Sequence, residues 1–213
     1  MEMSRKVRSE AAFTEVLAER ITVKVNKRMK KDGLELMKMK LGFEVLFINL
    51  SKFALVFAVA AVVDLLKQTV FMCLVFASIR RSSFGLHAKS SLVCTVTSLT
   101  MFVFGSYVAQ YIRVDNYIVV VLFSVINVFL YLYSPADTEN HPLLSQRLRK
   151  KLKRDSVVTG MVLMLLALVI QSQPIKVMII LAASYETVGI LPITYKLLNR
   201  RYKNYEKFER TSC

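Results

Sequence analysis

The stretch Arg80–Ser98 reads RRSSFGLHAKSSLVCTVTS and lies between two apolar parts of the chain. It carries His87 and, seven residues later, Cys94. On one straight α-helix, positions seven apart are roughly 10 Å apart along the axis, too far for a hydrogen bond. Gly85 disfavours a continuous helix, and the serines at 90–91 favour the start of a new one. The stretch therefore predicts a loop that contains His87 and a helix whose first turn contains Cys94.

Cysteine and histidine are the smallest set of side chains that can cleave a peptide bond through a thioester. A thiol is a strong nucleophile only as a thiolate, and an adjacent imidazole can take its proton and later protonate the leaving amine. The helix macrodipole also favours a thiolate in a first turn. The alternative is that Cys94 only packs, since cysteine serves as a small apolar residue in many cores.

The composition predicts a membrane protein. Of the 213 residues 54% are apolar, yet the net charge is +15. A basic surface for nucleic acid would account for the charge but not for the long apolar runs, so no nucleic-acid partner is expected. We predict an all-α, polytopic helical bundle of about six transmembrane segments. They cover Gly42–Val63, Thr69–Ile79, Ser91–Ile112, Tyr117–Tyr133, Val157–Ser172 and Ile175–Leu198, the last interrupted by Pro192.

Basic residues set the predicted orientation. With the N-terminus inside, 26 of the 30 Lys and Arg residues fall in inner regions, as the positive-inside rule requires. Both termini and the His87 loop are therefore predicted to be cytoplasmic. The chain divides into a basic, amphipathic N-terminal region (1–40), a membrane-embedded domain (41–198) and a basic tail (199–213).

Two basic regions predict contact with anionic lipid. In the first, Phe13, Leu17, Ile21 and Val25 recur every four residues, which is typical of an amphipathic helix on a membrane surface or packed on the protein. The second is the run RLRKKLKR at 147–154, where recruitment of an acidic peptide is a further hypothesis.

Charged and polar residues within the apolar segments usually find partners. Lys52 and Glu186 lie at similar predicted depths, so we expect an ion pair between the first and sixth helices. Glu44 and Asn127 are candidates for a third catalytic residue that orients His87, or else form helix–helix hydrogen bonds.

Metal and cofactor chemistry is not expected. His141 has no Cys or carboxylate at metal-ligand spacing, and no HExxH motif, paired CxxC motif or phosphate-binding glycine loop occurs. The three cysteines, Cys73, Cys94 and Cys213, form no disulfide framework pattern.

Three motifs resemble the signature of the accessory gene regulator B (AgrB) family of bacterial membrane endopeptidases. They are Arg80, Gly85, His87–Ser91 and Cys94; then Ser134-Pro135-Ala136-Asp137 followed by Pro142; and finally Leu191-Pro192. Where the family usually has two glycines before its histidine, this chain has Phe84-Gly85.

The resemblance implies a multi-pass cysteine endopeptidase of the bacterial cell membrane. Cys94 would be the nucleophile, His87 the general base and acid, and Arg80 and Gly85 supporting residues. The substrate would be a short precursor peptide with an amphipathic leader, a central cysteine and an acidic tail, processed to a cyclic thiolactone for quorum sensing. It also implies a homodimer. A small transporter or channel-like protein and a non-enzymatic scaffold are the alternative functions.

Overall fold

The structure is a computed structural model that describes residues 2–86, 91–137 and 143–206. These residues form helices joined by short connections, which confirms the predicted all-α class. The helices are α1 (Glu2–Met29), α2 (Gly33–Val62), α3 (Leu66–Ser83), α4 (Ser91–Ser98), the π-helical segment π1 (Leu99–Phe104), α5 (Gly105–Val108), α6 (Asn116–Tyr133), α7 (Gln146–Val169), α8 (Gln173–Ile190) and α9 (Pro192–Leu197).

The chain forms two compact units, residues 1–58 and 59–213. In the first unit, Lys40 of α2 contacts Glu19 of α1 at 3.4 Å, and Ala18 of α1 is buried. The first predicted apolar segment, Gly42–Val63, belongs to a longer helix, since α2 covers 30 residues and begins at Gly33. Nothing within 33–62 breaks it, because Gly42 is only a weak helix breaker and no proline occurs.

Two of the described helical stretches are long and apolar enough to cross a membrane, Glu35–Val62 and Asn116–Tyr133. Leu92–Val108 is apolar but shorter. Many large apolar side chains of α6 are exposed, including Tyr117 at 77% and Tyr131 at 62%. An apolar face of this size is unusual in water and suits contact with lipid. The predicted six crossings and their orientation stay predictions.

The second unit is a bundle in which α3, α6, α7 and α8 pack around a shared core. Met72, Ile79, Phe123, Leu130 and Ile179 are almost completely buried there.

At one end of this bundle, the N–H of Val114 donates to Gln173 at 3.0 Å, and Lys176 donates to Asn116 at 2.7 Å. The C-terminal ends of α3, α6 and α8 lie together at the opposite end of the bundle, here called the motif end. These three helices therefore run in one direction, as alternate crossings of a membrane would.

Two predicted segments have different limits in the structure. The basic run 147–154 belongs to α7, because Lys, Arg and Leu are good helix formers and Ser145 caps the helix through Leu148. The predicted last segment is two helices, since Pro192 has no N–H with which to continue α8 and instead starts α9.

Candidate active site

The helix that leads to the candidate site ends before His87. α3 stops at Ser83, and Phe84 and Gly85 have positive φ values of 62° and 108°. Glycine adopts such values readily, and phenylalanine does not. The predicted break at Gly85 is therefore confirmed, and α3 does not reach His87. Residues 87–90 lie outside the described residues, so a break between His87 and Cys94 stays a prediction.

The second half of the predicted arrangement begins at α4. The structure describes this helix from Ser91 onward, and half-buried Cys94 is its fourth described residue. The placement of Cys94 in the first turn stays a prediction, because residues 87–90 lie outside the described residues. His87 lies outside the described residues, so its pairing with Cys94 stays a prediction.

The backbone after α3 is joined to the second motif. The N–H of Gly85 donates to the carbonyl of Ala136 at 2.9 Å, and the N–H of Ala136 donates to the carbonyl of Ser83 at 2.8 Å. These bonds form a short parallel bridge between Phe84 and Ala136. The connection after α6 thus supports the three residues that lead to His87.

The last turn of α8, directly before the third motif, supplies another acceptor to the same backbone. The N–H of Leu86 donates to the carbonyl of Gly189 at 3.4 Å. Because Pro192 ends the hydrogen-bond ladder of α8, carbonyls in the last turn of this helix are open to partners outside it. The three motifs, far apart in sequence, therefore meet at the motif end.

Arg80 binds the loop backbone and a buried carboxylate together. Its Nη2 donates to the carbonyls of Gly85 at 3.2 Å and Leu86 at 2.7 Å, while Nη1 donates to Glu186 Oε2 at 3.0 Å. The hydroxyl of Ser83 donates to the other oxygen of Glu186. Glu186 is 0% exposed, and each of its carboxylate oxygens accepts a hydrogen bond from another side chain. This group of Arg80, Ser83 and Glu186 is here called the loop clasp.

The predicted ion pair between Lys52 and Glu186 is wrong, because the cation that binds Glu186 is Arg80. The predicted depth of Glu186 depended on a sixth helix that continues to Leu198, whereas α8 already ends at Ile190. Glu186 therefore lies four residues from its helix end, at about the depth of Arg80, which lies three residues from the end of α3.

Packing against α3 sets the level of Cys94. Phe102 of π1 meets Phe76 of α3 edge to face, with ring centroids 5.2 Å apart. At about 1.5 Å per residue, Cys94 is about 12 Å from this contact toward the motif end and Ser83 is about 10 Å from it. Arg80 also lies over Phe76, with its Cζ 5.6 Å from the ring centroid. Cys94 therefore lies at about the level where the loop leaves α3.

Asp137, the last residue of the second motif, is tied to the C-terminal segment. Its carboxylate accepts hydrogen bonds from the N–H of Asn204 at 2.9 Å and of Tyr205 at 2.8 Å. Tyr195 donates to the Asp137 carbonyl at 3.0 Å. Burial raises the pKa of Asp137, although the two N–H donors oppose this shift. Residues 199–206 are thus fixed under the connection that supports the His87 loop.

The basic run 147–154 contains cations of two kinds. Arg149 stacks on Tyr205, with its Cζ 3.8 Å from the ring centroid, and donates to the carbonyl of Leu143. Lys153 lies over Tyr131. Lys150 and Lys151 are exposed to solvent.

The remaining sequence candidates lie elsewhere or stay predictions. Asn127 donates to the Phe123 carbonyl, and its Oδ1 would lie 2.4 Å from a Cβ on Gly160, so it packs between α6 and α7. Its proposed catalytic role stays a prediction. Glu44 lies in the first unit, and its proposed role stays a prediction. His141 and Pro142 lie outside the described residues. In the parts of the chain that the structure covers, no three His, Cys, Asp or Glu residues are grouped as metal ligands.

Sequence reasoning missed Ser83 and assigned Glu186 the wrong partner. A lone carboxylate five residues before the helix-ending Leu191-Pro192 is the signal that could have paired Glu186 with Arg80. The role of Ala136 depends on its backbone, which a side-chain pattern does not reveal.

Comparison with known proteins agrees with the motif matches. An AgrB-like protein of Clostridium acetobutylicum is 48% identical over 96% of this chain and 98% of its own length. An AgrB-like protein of Listeria innocua is 44% identical over 85% of this chain and 89% of its own length. The accessory gene regulator protein B of Staphylococcus haemolyticus is 29% identical over 83% and 93%.

No solved structure matches the chain significantly. The sequence model of the family "Accessory gene regulator B", however, matches residues 18–190, which is most of the chain. This chain therefore belongs to the accessory gene regulator B family.

Proposed function

We propose that this protein is a membrane cysteine endopeptidase that processes a quorum-sensing precursor peptide. The observation that carries the proposal is the position of Cys94 on α4, at about the level where a separately anchored backbone segment leads to His87. Family membership supports a role in autoinducer processing.

In the proposed reaction, Cys94 loses its proton to His87 and its sulfur attacks the carbonyl carbon of the scissile peptide bond. The tetrahedral intermediate collapses, the C–N bond breaks, and the imidazolium of His87 protonates the leaving amine of the acidic tail. The remaining peptide is then held as a thioester on Cys94.

A thiol of the precursor can next attack this thioester. The proton of this thiol passes to His87, a new C–S bond forms, the bond to Cys94 breaks, and the thiolate of Cys94 is regenerated. One thioester replaces another, so the exchange has little free-energy cost, whereas a thiolactone formed from a serine ester would be uphill. A site at the lipid–water boundary would also limit competing attack by water.

The proposed substrate has an amphipathic leader, a central cysteine and an acidic tail. A leader bound to the membrane would bring the peptide to the level of Cys94, near the predicted cytosolic boundary. Exposed Lys150 and Lys151 on α7 are suited to attract the acidic tail. Six crossings, cytoplasmic termini and a homodimer belong to the same proposal.

The transporter alternative has less support from the structure. Glu186 has both oxygens occupied by Arg80 and Ser83, and Lys176 is bound to Asn116. These polar groups of α8 are therefore paired in ways that stabilise the bundle.

The decisive experiment is co-expression with short peptides that have a central cysteine and an acidic C-terminus. Cys94→Ser should abolish release of the acidic tail while the protein still accumulates in the membrane. Mass spectrometry of the wild-type protein should find an acyl group on Cys94. Normal processing by Cys94→Ser would overturn the proposal.

A further inference from the structure

Glu186 is a buried carboxylate to which the proposed reaction assigns no part. It is 0% exposed on a predominantly apolar helix, and its negative charge is neutralised by Arg80 at 3.0 Å. A buried ion pair is not by itself a strong source of stability, because desolvation opposes the attraction. Stability alone therefore does not explain why the Arg80–Glu186 ion pair lies at this position.

The position of Arg80 depends on Glu186. Glu186 accepts a hydrogen bond from Nη1 of Arg80, while Nη2 of Arg80 donates to the carbonyls of Gly85 and Leu86. Leu86 directly precedes His87 in the chain. The clasp thus extends from α8 to the residue before the proposed general base.

Close packing leaves little room for this arrangement to change. A Cβ added to Gly85 would lie 3.3 Å from Arg80 Nη1, 3.3 Å from the Gly189 carbonyl oxygen and 3.2 Å from Ile190 Cγ2. A shift of Arg80 would therefore move the loop backbone with it.

We propose that Glu186 is a positioning residue that, through Arg80 and the carbonyls of Gly85 and Leu86, sets the direction from which His87 meets Cys94. The inference rests on the proposed function. Glu186 touches neither the nucleophile nor the substrate in this proposal. Its effect is on geometry, and a displacement of about 1 Å at a catalytic group can cost about 100-fold in rate.

The test measures alkylation of Cys94 by iodoacetamide as a function of pH, with the full-length protein in phosphatidylglycerol-containing vesicles. Mass spectrometry distinguishes Cys94 from the other cysteines. Because only the thiolate reacts, the alkylation midpoint reports whether His87 is placed to take the proton. His87→Ala gives the reference for a lost partner.

Glu186→Gln keeps the side-chain size but removes the charge. We expect its alkylation rate at pH 7 to fall about tenfold, with the midpoint displaced toward that of His87→Ala. Ser83→Ala, which removes only one hydrogen bond to Glu186, should cause a smaller change in the same direction. Ser83→Ala decides the test if Glu186→Gln does not fold.

Asn116→Ala is the matched control. It removes the 2.7 Å partner of Lys176, which is 5% exposed and lies at the opposite end of α8. We expect Asn116→Ala to lose about as much thermal stability as Glu186→Gln, but to keep the alkylation profile of the wild type. Equal effects of Asn116→Ala and Glu186→Gln on the profile would overturn the inference, as would wild-type profiles for both Glu186→Gln and Ser83→Ala.

Failure of the proposed function gives a different result. If His87→Ala leaves the alkylation midpoint unchanged, or Cys94→Ser still processes precursor, the proposed Cys–His chemistry is wrong. If those two variants behave as expected and the clasp variants behave like wild type, only the positioning role of Glu186 is wrong.

Discussion

Gly85 and Ala136 are joined through their backbones, with the Gly85 N–H donating to the Ala136 carbonyl at 2.9 Å. The residues are 51 positions apart and follow different helices of the bundle, α3 and α6. The backbone that leads to His87 is therefore held by tertiary contacts, and its shape depends on the second motif and the end of α8 as well as on its own sequence.

Gly85→Ala tests how much the loop depends on this tight geometry. Gly85 has a φ of 108°, and an added Cβ would lie within 3.3 Å of three atoms. We expect a loss of about 1–3 kcal/mol in the free energy of unfolding from backbone strain. We also expect precursor cleavage to fall at least about tenfold, since the Arg80 contacts are displaced. Thermal unfolding and a cleavage assay measure the two effects.

Gly42→Ala on α2 is the control for this substitution. A Cβ there would meet no atom within 4 Å among the described residues, and the glycine is helical. Its stability should be unchanged or higher by up to about 1 kcal/mol, as expected for Gly→Ala in a helix. Equal losses of activity in both variants would contradict the assigned role of Gly85.

Asp137→Asn tests whether the second motif holds the C-terminal segment. The carboxylate accepts N–H groups on both oxygens, and an amide would present its own donor to one of them. We expect a loss of about 1–3 kcal/mol and faster trypsin cleavage at residues 200–203. Asp115→Asn, at an exposed N-cap where asparagine is equally suitable, should change neither measurement.

The pH dependence of stability should report the same carboxylate. Burial raises the pKa of Asp137 in the folded protein above its unfolded value, so the folded state holds the proton more tightly. Its contribution to stability is complete below the unfolded pKa and is lost as the pH rises through the folded pKa. As the pH falls from 7 toward the ordinary pKa of an aspartate, the wild type should therefore gain thermal stability relative to Asp137→Asn. If the wild type instead loses thermal stability relative to Asp137→Asn on acidification, the folded state favours the ionised carboxylate of Asp137.

The packing of α6 on α7 depends on Gly160. A Cβ there would lie 2.4 Å from Asn127 Oδ1 and 2.9 Å from Leu130 Cδ1. Gly160→Ala should destabilise the protein by about 1–3 kcal/mol, because overpacking forces side chains or helices to move. The double variant Gly160→Ala, Asn127→Ala should recover part of this loss in thermal unfolding. Gly189→Ala, whose Cβ would make only an ordinary 3.9 Å contact, is the single-site control.

The sequence was sufficient to predict the helical class, the break at Gly85 before His87, and a helix that carries Cys94. These features depend on local signals, namely apolar length, glycine and serine. The ion pair on Glu186 could not be predicted correctly, because depth was counted along a segment that Pro192 divides. The Phe84–Ala136 bridge and the binding of Asn204 by Asp137 involve backbone groups, and every residue type carries those.

Cations in the basic run 147–154 should differ in their effects according to their contacts. Arg149 stacks on Tyr205, whereas Lys150 is exposed on the same helix. Arg149→Ala should lower the free energy of unfolding by about 1 kcal/mol and expose the C-terminal segment to trypsin, since the cation–π contact between two half-buried side chains is lost.

The double variant Lys150→Ala, Lys151→Ala should keep the stability of the wild type and bind a precursor with an acidic tail more weakly. Because exposed charges act through a screened field, this loss should be largest at low salt and small at 1 M salt. Precursor binding can be measured with full-length protein in neutral vesicles, which removes competition from anionic lipid. If the paired variant lowers stability as much as Arg149→Ala, or its binding defect persists at high salt, the division between structural and substrate-facing cations is wrong.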